Sequence, residues 1–270
     1  MISSKYKIYY RKSLFDKDEL KAAQKYFNCV DLLSDIKEGD FVIPRYSLYP
    51  FPRDQEREII NIGAKLINTY NQHLYIADLQ NYVINLGELT PKTWDDISKI
   101  PEDGPFILKG ETNSKKSYWL KDMFAKNKRE AIEVHSRLSE DSLISEQKIY
   151  IREYVPLVTY LIGIGGIPIT KEFRFFVAYG QVLTGGYYWQ NYSEDLESVP
   201  SIDEVPKEFL QKVIDRVGNN SNFYVIDVAQ KQNGDWIVIE LNDGSQSGLS
   251  ENDPDTLYKN LKEAIDKYLF

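Results

Sequence analysis

At 270 residues, with 42% hydrophobic and 27% charged residues, the chain carries enough apolar material for one large or two modest cores, which excludes a disordered chain. A formal net charge of −8 argues against an obligate nucleic-acid binder, which normally presents a basic face. The single cysteine, Cys29, excludes an intramolecular disulfide, a CxxC redox pair and a cysteine-based zinc site.

The first residues show no signal-peptide pattern, and the longest apolar run, residues 154–169, is too short and too broken by Pro and Gly to span a membrane. A cytoplasmic location is therefore expected. The first third alternates short apolar runs with helical patterns: KIYY, then DKDELKAAQKYF with Asp16 as an N-cap, DFVIP, and QEREIINIGAKLINTY. That alternation predicts a small α/β unit with a largely parallel sheet over residues 1–90. TPKTW is an extended piece at the boundary, and GPFIL leads to Lys109 at the end of a predicted strand. Residues 117–143 read as helical with one or two breaks, followed by the strand KIYIREYV. The run at 154–169 reads as a strand end plus a flexible glycine-containing connection. KEFRFFVAYGQVLTGGYYW reads as a hairpin around Tyr179-Gly180, and VPKEFLQKVIDRVG as a helix closed by Gly218. The terminal PDTLYKNLKEAIDKYL is an amphipathic helix that places Leu257, Leu261, Ile265 and Leu269 in the core. His73 and His135 lie far apart and read as structural.

The stretch YVIDVAQKQNGDWIVIELND, residues 224–243, carries Asn233-Gly234 between two alternating runs, the pattern of a two-residue type I′ hairpin. Counting outward from that turn pairs Ala229 with Val238, Asp227 with Glu240, and Val225 with Asn242. Period-2 alternation places Asp227, Glu240 and Asn242 on one face, and Tyr224, Ile226, Val228, Ile237, Ile239 and Leu241 on the other. Two carboxylates directly opposite repel one another. Two readings meet this conflict. One is a hard divalent ion, Mg²⁺ or Mn²⁺, held by the oxygens of Asp227, Glu240 and Asn242. The other is a solvated face whose acids are separated by water or paired with Lys231.

Lys109 opens the polar loop GETNSKKS, an arrangement that can aim an ammonium and backbone N–H groups at one anion. From Gly110 the spacing reaches Lys116 and Ser117 as a P-loop requires, but Lys115 stands at the second glycine position. Lys109-Gly110-Glu111-Thr112 likewise fails the KxDG signature of covalent nucleotidyl transferases. Taken together, FILKGETNSKKS, IYIREYVPL, the Glu172-Phe173-Arg174 motif, and Asp227 followed after twelve residues by Glu240-x-Asn242 resemble the ATP-grasp superfamily over residues 90–270. The metal motif is of the D-alanine:D-alanine ligase type, and the likeness is greatest to the clade named for two arginines and a lysine.

That resemblance implies an α/β (α+β) chain: an ATP-grasp fold at 91–270 behind a small pre-ATP-grasp domain at 1–90. A lid subdomain would span about 105–155 and a metal-binding subdomain about 156–270. It implies that Lys109, Ser114, Lys115 and Lys116 contact ATP phosphates, and that Arg152, Glu153, Tyr154 and Val155 line the adenine hinge. Glu172 would accept ribose hydroxyls. Arg174, with Lys109 and Lys116, would hold the transferred phosphoryl group, and Asp227, Glu240 and Asn242 would ligate Mg²⁺. The implied activity is ATP-dependent ligation of a carboxylate to an amine, on an amino acid, peptide or protein end, through an acyl-phosphate. Two departures stand out: DLQNYVINL supplies no lysine where many relatives have one, and Ser114, Lys115 and Lys116 replace glycines. Two alternatives stay open. One is an ATP-grasp enzyme acting on nucleic acid, with residues 43–53 and 185–192 as its basic, aromatic groove. The other is a nucleotide-binding module without turnover. A homodimer is compatible with each reading, and no membrane partner is expected.

Overall fold

The computed structural model describes residues 5–12, 16–48 and 52–269; Tyr49, Pro50 and Phe51 of the aromatic stretch noted above lie outside it. Among the described residues no helix is long and apolar enough to cross a membrane.

Strands β1 (Tyr6–Tyr10), β2 (Asn28–Val30), β3 (Phe41–Arg45) and β4 (Lys65–Leu66) form a parallel sheet in the order β2-β1-β3-β4. They alternate with α1 (Lys17–Gln24) and α2 (Pro52–Asn61), and α3 (Tyr70–Ala77) and α4 (Leu79–Leu86) follow. Asp16 caps α1 as expected, its carboxylate accepting from the N–H groups of Asp18 (2.8 Å) and Glu19 (3.0 Å). QEREIINIGAKLINTY is not one helical segment: Gly63, at φ +84°, turns the chain so that Lys65 and Leu66 join the sheet edge.

The second sheet contains β5 (Thr93–Trp94), β6 (Asp103–Gly110), β7 (Phe124–Asn127) and β8 (Ile149–Glu153), antiparallel in the order β5-β8-β6-β7. The helical expectation for residues 117–143 is corrected here. A short α5 (Trp119–Asp122) precedes β7, and the long helix is only α6 (Lys128–Ser139). Asn127 marks the change, since its side chain accepts from the Glu130 N–H (3.1 Å) and so ends the strand while starting the helix. Ala131, Val134 and Leu138 of α6 then pack on Leu108 and Ile151.

Residues expected to be a flexible connection instead form an antiparallel hairpin, β9 (Thr159–Ile162) and β10 (Pro168–Thr170). A side chain at Gly165 would meet the Ser117 carbonyl oxygen at 2.2 Å, so glycine there is what lets the hairpin tip sit on the segment that carries Lys116.

The third sheet has β11 (Glu172–Ala178), β12 (Gln181–Tyr187), β13 (Phe223–Gln230) and β14 (Trp236–Asp243) in the antiparallel order β12-β11-β13-β14. Both central residues of its first turn have positive φ, Tyr179 at 49° and Gly180 at 74°, as a type I′ turn needs. One face packs against α4 and α7 (Lys207–Val217), the other against α1 and α8 (Pro254–Leu269). Gly218 at φ +55° closes α7. In α8, Leu257, Leu261 and Ile265 are buried, whereas Leu269, expected in the core, is 41% exposed on the last turn.

The second hairpin departs from the expected register near its turn. Lys231 N–H donates to Asp235 O (2.8 Å) and Gly234 N–H to Lys231 O (2.9 Å), so residues 232–234 form a three-residue loop. Within it only Gly234 has positive φ (92°). Ala229 therefore faces Ile237 rather than Val238, and Val228 faces Val238. A bulge at Ile239 absorbs the extra residue, and beyond it Asp227 faces Glu240 and Val225 faces Asn242 as counted from sequence. The bulge also reverses the side chains on its turn side: Val238 joins the apolar cluster with Leu241 and Trp236 packs against it, Ile237, expected there, is outside that cluster, and Ile239 lines a cavity beside Glu240.

Candidate active site

The bulged strand forms one wall of a cavity between the second and third sheets. Of the residues singled out from sequence, Lys109, Ser114, Lys116, Arg152, Glu153, Tyr154, Val155, Glu172 and Glu240 all line it. Ile107, Met123, Leu157 and Ile239 supply apolar walls. Sequence reasoning reached Leu157 only as the end of the hinge motif and missed Ile107, Met123 and Ile239 as walls: Met123 fell in the segment expected to be helical, and a one-residue bulge at Ile239 leaves no periodicity signal. The bulged backbone is held from outside the sheet: Thr90 Oγ1 donates to the Val238 carbonyl (3.0 Å), and the Arg152 guanidinium donates to the Ile239 carbonyl and to Thr90 Oγ1 (2.8 Å). Burial pushes the Arg152 pKa down. In the hinge, Glu153 N–H donates to Lys92 O (2.9 Å) and Tyr154 N–H to Pro105 O (3.0 Å), which ties β8 to both of its flanking segments.

Cross-strand register sets the acids. Arg174 stands opposite Asp227 and forks onto it, Nε to Oδ1 and Nη2 to Oδ2, each 2.8 Å. Asn242 Nδ2 also donates to Asp227 Oδ2 (3.0 Å), and Glu240 Oε1 takes the Lys109 ammonium. Each of the two facing carboxylates is thus paired with its own protein cation. Lys231 plays no part, because it pairs with Asp235 at the turn (3.0 Å). Burial alone would raise the Glu240 pKa, but Lys109, with Lys116 and Arg152 behind it, holds it down at about 2. Glu172 goes the other way: burial pushes it up to about 7 against the pull of Lys116, and its Oε2 accepts from Thr170 Oγ1 (3.1 Å).

Lys116 donates to the Tyr188 hydroxyl, with its ammonium 4.4 Å from the Tyr188 ring centroid and 5.3 Å from that of Trp189. Arg174 lies 4.8 Å from the centroid of the same Tyr188 ring, so one aromatic ring meets both cations. Tyr188 and Trp189 were noted in the sequence only as a nucleic-acid groove; their aromatic content was visible, their partners were not. Lys115 stands apart from this group and pairs with Asp141 (2.5 Å).

Arg174 opens onto two further cavities. One is bounded by Lys116, Tyr188, Trp189 and Tyr192, the other by Ser47, Asn113, Gln147, Asn242 and Gln246. Arg45 of β3 anchors the loop after β14. Its guanidinium donates to the carbonyls of Gly244, Ser245 (3.2 Å) and Ser247 (3.1 Å), and to Glu19 Oε1 (2.6 Å) and Tyr258 Oη (3.2 Å). Arg174 Nη1 grips the same loop at the Gly248 carbonyl (2.9 Å). No pattern of spacing in the sequence announces Arg45, since the loop carbonyls it holds are about 200 positions away.

The family pattern that matches residues 96–261 is the ATP-grasp domain, family 3 of the clade named for two arginines and a lysine. No curated protein matches the sequence. Among solved structures, the fold is similar to the ATP-grasp ligase PsnB in complex with a precursor peptide and AMPPNP (TM-score 0.62, 11% identity, 98% of this chain and 100% of that one). It is similar too to the macrocyclase MdnC from Microcystis aeruginosa bound with its precursor peptide (TM-score 0.59, 11% identity, 97% and 99%). A third likeness is to the D-alanine-D-alanine ligase from Coxiella burnetii (TM-score 0.58, 11% identity, 86% and 70%). At these identities the likeness is one of fold.

Proposed function

The chain belongs to the ATP-grasp domain, family 3 of the clade named for two arginines and a lysine, and from that premise we propose that it is an ATP- and Mg²⁺-dependent ligase joining a carboxylate to an amine through an acyl-phosphate. The observation that carries this reading is the charge pattern at the polar end of the apolar cavity: Lys109, Lys116 and Arg174 gathered around Asp227, Glu240 and Glu172. Adenine fits between Ile107, Met123, Leu157 and Ile239 at the hinge, and Glu172, once ionised, accepts ribose hydroxyls. Lys109 and Lys116 then meet the phosphates as point charges, and Arg174, planar and bidentate, suits a transferred phosphoryl group or carboxylate. Lys115, engaged with Asp141, contributes from a distance.

Asp227, Glu240 and Asn242 offer only oxygen, which fits Mg²⁺ or Mn²⁺; they would hold the ion once Arg174 and Lys109 turn from these acids toward phosphate. When bound, the ion neutralises charge on the phosphate oxygens. The chain's own groups orient the attacking carboxylate and exclude water, so the chemistry is electrostatic more than acid–base. The substrate class favoured is a peptide or amino-acid carboxylate, since the fold resembles that of two proteins solved with precursor peptides. Cytoplasmic ATP and Mg²⁺ suit this reading, and the acidic net charge leaves nucleic acid the less favoured acceptor.

Glu240→Gln tests the assignment. It should melt as cooperatively as wild type yet lose at least about a hundredfold of Mg²⁺-dependent ADP release measured with pooled amino acids and short peptides. Wild-type turnover in that variant would sink the site.

A further inference from the structure

Resting on the ligase reading above, we infer that the cavity bounded by Ser47 is the acceptor subsite, and that it admits an amine in its uncharged form: the α-amino group of a peptide or amino-acid amide in preference to the ε-ammonium of lysine. The cavity lies where all three sheets meet. Ser47 follows β3, Thr112 and Asn113 follow β6, Gln147 precedes β8, and Gln246 and Ser247 follow β14, with Arg174 and Asn242 of the third sheet beside them.

Every one of those first six side chains is a hydroxyl or an amide. Three of them are already ordered among themselves: Asn113 Oδ1 accepts from Thr112 Oγ1 (3.0 Å) and Gln147 Nε2 (2.6 Å), and Gln147 Oε1 accepts from the Thr112 N–H (3.0 Å). Among the described residues no carboxylate lines the cavity. Acids on the neighbouring elements are committed elsewhere. Asp227 and Glu240 are held by Arg174 and Lys109, and would hold Mg²⁺ once those cations turn to phosphate; Glu111, whose pKa burial raises, and Asp243, with His73 at 3.2 Å, line a small adjoining cavity instead. An ammonium entering here finds neutral acceptors but no carboxylate, and has the Arg174 guanidinium beside it, so it loses hydration without an ion pair in return.

The other cavity at Arg174 carries two cations, Lys116 and Arg174, and so suits the carboxylate substrate. Their shared Arg174 puts the acyl group between the two spaces. In the step itself the amine lone pair forms the C–N bond, the C–O bond to phosphate breaks with its electron pair going to phosphate, and the nitrogen proton passes to water. At pH 7.5 roughly a third of α-amino groups (pKa about 7.7–8.0) but only about one lysine in a thousand (pKa about 10.4) are uncharged. A cavity without acids therefore separates the two classes by more than a hundredfold in available nucleophile.

The test is saturation-transfer NMR on the full chain at pH 7.5 with Mg²⁺ and AMPPNP, using glycinamide and Nα-acetyl-lysine amide as competing probes. Wild type should bind glycinamide at least tenfold more tightly. Asn113→Asp keeps both accepted hydrogen bonds while adding a negative charge, and should bring the ratio within twofold. Gln246→Glu, at the exposed rim, should move it the same way and decides the matter should the first variant melt early. An ε-ammonium probe that binds wild type as tightly as glycinamide overturns the inference, as does a ratio unmoved in a folded variant. Quenching of tryptophan fluorescence by AMPPNP is read in the same samples: no quenching overturns the ligase reading and the inference with it, whereas quenching with an unmoved ratio overturns the inference alone.

Discussion

Glu172 and Glu240 line one cavity and are driven in opposite directions, to about 7 and about 2, by burial that outweighs the pull of Lys116 in the first case and by Lys109 in the second. For Glu172 the folded state favours the protonated form. Its contribution to stability is complete below the ordinary value of 4.5 and is lost as pH rises through about 7. Glu172→Gln, which mimics the neutral acid, should therefore gain in melting temperature relative to wild type as pH rises from 5 to 8. A difference that stays constant across that range would contradict the burial argument. The residue types of the site were legible in the sequence, because Lys109, Arg174 and the acids stand in motifs of fixed spacing. Their partners were not: that Arg174 would fork onto Asp227 depends on β11 lying beside β13, a long-range pairing that local pattern does not encode.

Two one-residue departures cancel in the hairpin of β13 and β14. The loop is one residue longer than the Asn-Gly pattern predicts, and the Ile239 bulge removes the difference before the acids are reached. Asp227 met Glu240 as counted, for a reason the count did not contain. Gly234 alone holds positive φ, so Gly234→Ala should cost about 1–2 kcal/mol in urea unfolding. Asn233→Ala should cost less, since no left-handed backbone is required there. Equal losses would restore the type I′ turn. Elsewhere, long periodic elements such as α7 and α8 were legible, because one face of each is buried along its length. The short strands β4 and β7 and the hairpin of β9 and β10 were not, because two to four residues carry too little periodicity to outweigh their neighbours.

Across the molecule, the N-terminal sheet reaches the site through Arg45. With its carboxylate partner Glu19 buried and three loop carbonyls depending on it, Arg45→Met should lose on the order of 3–5 kcal/mol of stability by chemical denaturation. It should also weaken nucleotide turnover through the loop that Arg174 grips at Gly248. A loss below about 1 kcal/mol would mean that the clasp is solvated and the two units are independent. The α/β class and the order of the ATP-grasp motifs were readable from the chain. The meeting of three sheets around Arg174 was not, since it rests on contacts between residues up to about 200 positions apart.

The central claim is that a carboxylate takes the terminal phosphoryl group of ATP at Arg174. Pooled amino acids and short peptides carrying ¹⁸O in their carboxylates, incubated with the protein, ATP and Mg²⁺, test it by mass spectrometry of the released products. Acyl-phosphate chemistry predicts ADP together with inorganic phosphate bearing one ¹⁸O. Label recovered in AMP, with pyrophosphate released, would contradict it.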